Sequence, residues 1–162
     1  MILEQNVPPA VRTWAKCQVK VHACEKLTRF LSSGQYFSMG TRGIYTGFVK
    51  QYGSSAGKKK FLEEYCQPEV RRLQRCCARY RALAERIRRK TETVPEAWLL
   101  SKEEALSLIG TTLRYQTHGK AHYITLNGSS DDGERIFCTN SLWPEGLDSL
   151  TLLSLGFGKD LK

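Results

Sequence analysis

The stretch QPEVRRLQRCCARYRALAERIRRKT, residues 67–91, decides how the rest of the chain is arranged. Pro68 stands in what would be the first turn of a helix, where proline is tolerated. On a helical wheel the stretch divides into two faces. The apolar face contains Val70, Leu73, Cys76, Cys77, Tyr80, Leu83, Ala84 and Ile87. The basic face contains Arg71, Arg72, Arg75, Arg79, Arg86, Arg89 and Lys90. The pattern predicts a long amphipathic helix with one strongly positive side.

The basic face indicates an anionic partner. Arg71, Arg75 and Arg79 follow each other at i,i+4, where like charges repel by roughly 0.2–0.5 kcal/mol per pair. Within the stretch only Glu69 and Glu85 carry the opposite charge. Guanidinium groups suit phosphate oxygens because their planar fork donates two parallel hydrogen bonds. The alternative is a solvated surface helix on a basic protein.

The apolar face supports a further alternative. Positions 70, 73, 77, 80, 84 and 87 also have the spacing of a heptad seam. This spacing is typical of a dimerisation or protein-interaction module, and such a module would bind an acidic partner through its basic side. A homodimer through the 70–87 seam is therefore the second hypothesis.

The length of the chain favours one domain, and the order of its predicted elements makes that domain α+β. Hydrophobic residues make up 41% and charged residues 25% of the 162, which is ordinary for a globular protein. The net charge of +9 is uneven: residues 1–92 carry 19 Lys and Arg against 7 acidic residues, and residues 93–162 carry 6 against 9. This asymmetry favours an anionic partner docking on the basic half. Nucleic acid, RNA ahead of DNA, is the first hypothesis because it is the commonest such partner, and an anionic membrane or an acidic protein is the alternative.

Further basic residues lie between aromatic ones. Arg42 and Lys50 are interspersed with tyrosine and phenylalanine in residues 35–57, and exposed aromatics beside cations can stack unpaired bases. Most of these aromatics are expected in the core. Lys58, Lys59 and Lys60 follow a glycine-rich segment. The predicted nucleic-acid-binding residues are Arg42, Lys50, Lys58, Lys59, Lys60, Arg71, Arg72, Arg75, Arg79, Arg86, Arg89 and Lys90.

The remaining elements follow from periodicity and turn residues. A helix is predicted over 9–32, although 17–23 also alternates as a strand would. Residues 35–57 predict two short strands around a turn at Gly40–Gly43, then a flexible loop at 53–57. Ser101 and Glu104 form a capping box for a helix at 102–109. A small antiparallel sheet and a last short helix follow, with strands at 111–117, 121–127 and 134–139 and the helix from Pro144 through Leu155.

Signals for enzymatic or metal chemistry are weak. The segment GSSAGKKK, residues 53–60, has one residue too few between its glycines for a nucleotide-binding P-loop. The six cysteines include no CxxC pair. We therefore expect no catalytic residue, no cofactor and no metal; a small metal-dependent or cysteine-based enzyme is the third hypothesis.

The sequence also bears on location. No run approaches the ~20 apolar residues of a membrane span, so no membrane insertion is expected. The N-terminus lacks the pattern of a signal peptide. We expect an intracellular protein, cytoplasmic or nuclear, with reduced thiols.

Overall fold

The computed structural model describes residues 1–161 and confirms an α+β fold. The chain divides into two compact units. The sheet unit comprises Met1–Val19 and Leu83–Lys162, and the helical unit comprises Lys20–Ala82. The predicted change of composition near residue 92 does not coincide with this division. That the chain forms one domain stays a prediction.

Helices account for most of the N-terminal part of the chain. Helix α1 spans Pro9–Ser32, as predicted, and α2 spans Met39–Tyr52. Helix α3 covers Ser54–Phe61 and passes through a π-helical turn at Leu62–Cys66 into α4, Gln67–Lys90. Helices α1 and α4 each contribute residues to both units. No helix within residues 1–161 has the length and apolarity needed to span a membrane.

The sheet unit contains a four-stranded mixed sheet in the order β1-β2-β3-β4. Strands β2 (Thr112–Thr117), β3 (Lys120–Ser129) and β4 (Ile136–Cys138) pair antiparallel, as predicted. His118 and Gly119 both have positive φ and form the expected hairpin turn between β2 and β3. Strand β1, Ile2–Glu4, pairs parallel with β2 and makes the sheet mixed. A strand of three residues is too short to show the alternation of polar and apolar residues by which a strand is recognised in a sequence.

The core of the sheet unit lies between one face of the sheet and the last helix. Leu113, Ile124, Leu126 and Leu152 are each at most 1% exposed. The capping box of Ser101 and Glu104 is present and starts helix α5, Lys102–Leu106, which is shorter than predicted. Helix α6 covers Ser149–Leu155 and begins at the N-cap Asp148 rather than at Pro144. The carboxylate of Asp148 accepts a hydrogen bond from the Thr151 amide at 2.7 Å, which fixes this start.

The helical unit has its own core, formed by α1, α2, α3 and α4. Its buried residues are apolar side chains and thiols: Val21, Cys24, Leu31, Phe61, Cys66, Leu73 and Cys77. Phe61 is the centre of an aromatic group, with ring centroids 5.2 Å from Tyr45, 6.1 Å from Phe48 and 5.5 Å from Tyr65.

The predicted strands and loop in residues 35–57 are wrong, since residues 39–52 form α2 and α3 begins at Ser54. Ser38 caps α2 by accepting a hydrogen bond from the Thr41 amide at 3.2 Å. Helical spacing brings Thr41, Tyr45 and Phe48 onto the inner face. The glycines misled the prediction, because their low helix propensity is outweighed here by aromatic burial.

Candidate nucleic-acid interface

The net charge of the chain resides in the helical unit. Residues 20–82 contain 13 Lys and Arg against 4 Glu, which gives the unit +9, equal to the charge of the whole chain. The sheet unit contains 12 basic and 12 acidic residues and is neutral overall. An anion therefore experiences attraction chiefly from the helical unit.

The two predicted faces of α4 are confirmed. Leu73, Cys77 and Ala84 on the apolar face are 4%, 6% and 2% exposed. Every member of the predicted basic face is exposed: Arg71, Arg72, Arg75, Arg79, Arg86, Arg89 and Lys90. Helical periodicity alone was therefore sufficient to separate the buried side of this helix from its solvent side.

Ion pairs divide the arginines of α4 into two classes. Arg72 and Arg89 pair within the helix, Arg72 Nη2 with Glu69 Oε2 at 2.9 Å and Arg89 Nε with Glu85 Oε1 at 3.2 Å. Two arginines outside the predicted face are paired as well, Arg81 with Glu25 and Arg88 with Glu96. These four guanidinium groups already have a carboxylate partner.

Three arginines of the helical unit form a separate stripe. Arg71, Arg75 and Arg79 are exposed, and none pairs with a carboxylate among residues 1–161. Successive members lie one turn apart, about 6 Å along the helix axis. We call these three residues the arginine stripe. Further along α4, in the sheet unit, Arg86 and Lys90 also lack an acidic partner within the described residues.

The lysines predicted to bind lie on helices rather than on a loop. Lys58 and Lys59 are exposed on α3, and Lys50 is exposed in the last turn of α2. Lys60 pairs with Glu64 at 3.3 Å, and its Nζ lies 5.4 Å from the centroid of the Tyr52 ring. These lysines increase the positive charge around α2 and α3.

The aromatic side chains of residues 35–57 divide between core and surface. Tyr45 and Phe48 pack against the core of the helical unit, as expected for most of this group. Tyr36, Phe37 and Tyr52 are 41%, 37% and 40% exposed. The guanidinium carbon of Arg42 lies 5.9 Å from the Tyr36 ring centroid, within the range of a cation–π contact.

A cavity of about 540 Å³ opens beside Tyr36. Its lining comes from the segment after α1, from α2 and from α3: Ser33, Gly34, Gln35, Tyr36, Tyr45 and Lys58. The cavity could not be read from the sequence, because Tyr45 and Lys58 meet residues 33–36 only when α2 forms as a helix. We call it the Tyr36 cavity.

The cysteines lie in apolar surroundings. Burial raises the pKa of the Cys66 thiol to about 11, and it also raises the pKa of Cys17 and of Cys24. A thiol with a raised pKa is a poor nucleophile and a poor metal ligand at neutral pH. Among residues 1–161 no three His, Cys, Asp or Glu side chains cluster as a metal site would require.

The apolar seam that suggested a dimer is covered by the chain itself. Leu73 and Cys77 belong to the core of the helical unit, and Ala84 is 2% exposed. Val70, Tyr80 and Ile87, the other seam positions, are partly buried. Leu73, Cys77 and Ala84 are therefore buried within the chain itself, and dimerisation through the 70–87 seam stays a prediction.

Comparison with known protein families, with curated proteins and with solved structures found no significant match to this chain. Its function therefore has to be inferred from the residues described above.

Proposed function

We propose that the helical unit binds nucleic acid, RNA in preference to DNA, mainly through arginine and lysine contacts to phosphate. The observation that carries the proposal is the arginine stripe. Three exposed guanidinium groups, which have no carboxylate partner among residues 1–161, lie on one helix of a unit with charge +9. A row of phosphates would supply the missing negative charge.

The energetics of the stripe favour an anionic partner. Each i,i+4 pair of like charges destabilises the helix by roughly 0.2–0.5 kcal/mol in the free protein. A bound phosphate strand removes this repulsion, and each neutralised phosphate releases a condensed counterion. Guanidinium groups also donate bidentate hydrogen bonds to phosphate oxygens, which lysines do not.

The aromatic side chains of the same unit favour a partner with unpaired bases, which RNA presents in its loops and ends. Tyr36, Phe37 and Tyr52 are each more than a third exposed and lie in a segment that also carries Arg42 and Lys50. Sequence-specific RNA recognition commonly involves unpaired bases stacked on aromatic rings beside cations. Regular duplex DNA keeps its bases paired and out of reach of such rings.

A binding titration across a salt series tests the proposal. The full chain is titrated against labelled single-stranded RNA, single-stranded DNA and the corresponding duplexes between about 50 and 200 mM salt. If phosphates contact the three stripe arginines, the logarithm of the binding constant for a single strand should fall with the logarithm of the salt concentration with a slope of about −2 or steeper. Each phosphate contact contributes roughly 0.7 to this slope. An affinity that does not change with salt, or no binding to any of the four, contradicts the proposal.

A further inference from the structure

The Tyr36 cavity combines features that suit one unpaired nucleobase. Its volume of about 540 Å³ lies within the range of small-ligand sites, about 300–1,000 Å³. Two tyrosine rings contribute to its lining, with centroids 5.9 Å apart and ring planes inclined by 37°. The exposed Lys58 also lines it and brings a positive charge to the aromatic surface.

Tyr36 is the ring most accessible to a ligand. It is 41% exposed although it contacts both Tyr45 and Arg42. A half-exposed ring offers a π surface to any base, because all bases have π faces that stack on aromatic side chains. The guanidinium group of Arg42 is close enough to contact the sugar or phosphate of the same nucleotide.

The cavity and the arginine stripe belong to the same unit and to adjoining helical segments. Lys58 lies on α3, which continues through the π-helical turn into α4, where Arg71 begins the stripe. Arg71 lies 13 positions after Lys58, which is roughly 20 Å along a helix at 1.5 Å per residue. Single-strand sites commonly take about 4–16 nucleotides, and a strand of that length covers this axial distance.

We propose that the Tyr36 cavity receives one unpaired base of the bound strand, so that the protein prefers single-stranded RNA to duplex RNA. The inference rests on the proposed function and names its substrate class. The base stacks on Tyr36, Lys58 and Arg42 contact the adjacent phosphates, and the arginine stripe contributes contacts along the backbone. A base within a duplex is held in its pair and does not enter.

A tryptophan placed at position 36 reports on the cavity directly. The three native tryptophans, Trp14, Trp98 and Trp143, all belong to the sheet unit. In a Tyr36→Trp variant the additional fluorescence therefore comes from the helical unit. We expect single-stranded oligoadenylate to quench this additional signal, whereas an RNA duplex of equal length binds without quenching it.

Substitutions at Tyr36 measure what the stacking contributes. Stacking of one base is worth a factor of roughly 5 to 150 in affinity. Tyr36→Ala is expected to lower affinity for single-stranded RNA within that range and to leave duplex affinity unchanged, while Tyr36→Phe retains the parental affinity. Tyr123→Ala removes a tyrosine that is 57% exposed in the sheet unit and serves as the matched control. A thermal melt of each variant confirms that it is folded.

The outcomes separate this inference from the proposed function. If the parent binds RNA with a steep salt dependence but Tyr36→Ala has no effect, only the base cavity is wrong. If the parent binds no nucleic acid, the proposed function fails as well. A response of the Tyr36→Trp signal to anionic phospholipid vesicles and not to RNA also overturns the inference, because the surface would then be a lipid contact.

Discussion

Cys66 shows how burial alone determines the chemistry of a side chain. It ends the π-helical turn, is 0% exposed and belongs to the core that includes Phe61. Because the thiolate is poorly solvated there, the pKa of Cys66 rises from its ordinary value of 9.0 to about 11. The helical wheel placed Cys76 and Cys77 on the apolar face of α4, and both lie in or against this core.

The raised pKa of Cys66 predicts a loss of stability at alkaline pH. Between about pH 9 and pH 11 the folded protein keeps this proton and the unfolded chain releases it. The free energy of unfolding therefore falls with rising pH, by up to about 1.4 kcal/mol per pH unit for this one group. Urea unfolding of the parent and of Cys66→Ala at several pH values measures the effect.

The Cys66→Ala protein serves as an internal reference for this prediction. The pKa values of Cys17, Cys24 and Tyr115 are also raised by burial, and these groups titrate in both proteins. The steeper pH dependence of the parent is therefore assigned to Cys66. Equal pH dependence in the two proteins would contradict a buried, protonated thiol at this position.

Tyr36 marks the limit of prediction at the residue scale. Alternation and periodicity separate the two sides of an element, but Tyr36 precedes α2 and lies on neither side of a helix. Its exposure and its neighbours depend on the path of the segment after α1. The contact with Arg42 and the cavity beside Tyr36 could therefore not be read from the sequence.

Helix α2 shows how tertiary packing overrides local propensity. Gly40, Gly43 and Gly47 each disfavour a helix by about 1 kcal/mol relative to alanine, which is why the sequence indicated a turn. The helix forms because Tyr45 and Phe48 pack against Phe61. Phe61 lies 13 residues beyond Phe48, so a local pattern does not contain this contact.

Alanine substitutions in α2 and α3 are expected to have opposite effects. Beyond its own stretch of helix, a Cβ atom at Gly43 or Gly47 would meet no atom of residues 1–161 within 4 Å. Gly43→Ala and Gly47→Ala should therefore each stabilise the protein by roughly 0.5–1 kcal/mol. At Gly57 the Cβ would lie 2.7 Å from both Phe48 O and Val49 Cα. Gly57→Ala should therefore destabilise the protein, because α3 would be pushed away from α2.

Chemical denaturation of the three variants checks this prediction. All three substitutions make the same chemical change within a helix, so their differences report on the surroundings of each glycine. A Gly57→Ala protein as stable as Gly43→Ala would mean that α2 and α3 do not approach closely at this glycine.

The elements that were predicted correctly are those whose sequence signals lie within the element itself. The capping box of Ser101 and Glu104, the alternation of β2 and the amphipathic pattern of α4 were all confirmed. Each depends on residues within a few positions of one another. Strand β1 was missed because its identity depends on pairing with Thr112–Arg114, more than a hundred residues away.

At the scale of the whole molecule, the boundary between the two units differs from the boundary between the basic and acidic parts of the sequence. Residues 1–19 and 83–92 belong to the sheet unit, which leaves the helical unit with +9 and the sheet unit neutral. Arg86, Arg89 and Lys90 consequently lie outside the helical unit, although the wheel groups them with the stripe. The ion pair of Arg81 was not predictable either, since Glu25 is 56 residues away.

The measurement that tests the central claim most directly is the salt dependence of single-stranded RNA binding by two matched variants. The stripe variant removes three positive charges from the stripe and retains good helix formers; its substitutions are Arg71→Gln, Arg75→Gln and Arg79→Gln. The lysine variant removes three positive charges from exposed positions of the sheet unit; its substitutions are Lys16→Gln, Lys102→Gln and Lys120→Gln. A thermal melt of both variants is recorded alongside the binding titrations.

The stripe variant should melt at or slightly above the parental temperature, because two repulsive i,i+4 pairs are removed. Its affinity for RNA should fall, and the slope of its log–log salt plot should become shallower by about 2, for three lost contacts at roughly 0.7 each. The lysine variant should keep nearly the parental slope. A stripe variant that unfolds, that binds as tightly as the parent, or that loses no more than the lysine variant would contradict phosphate binding by the stripe.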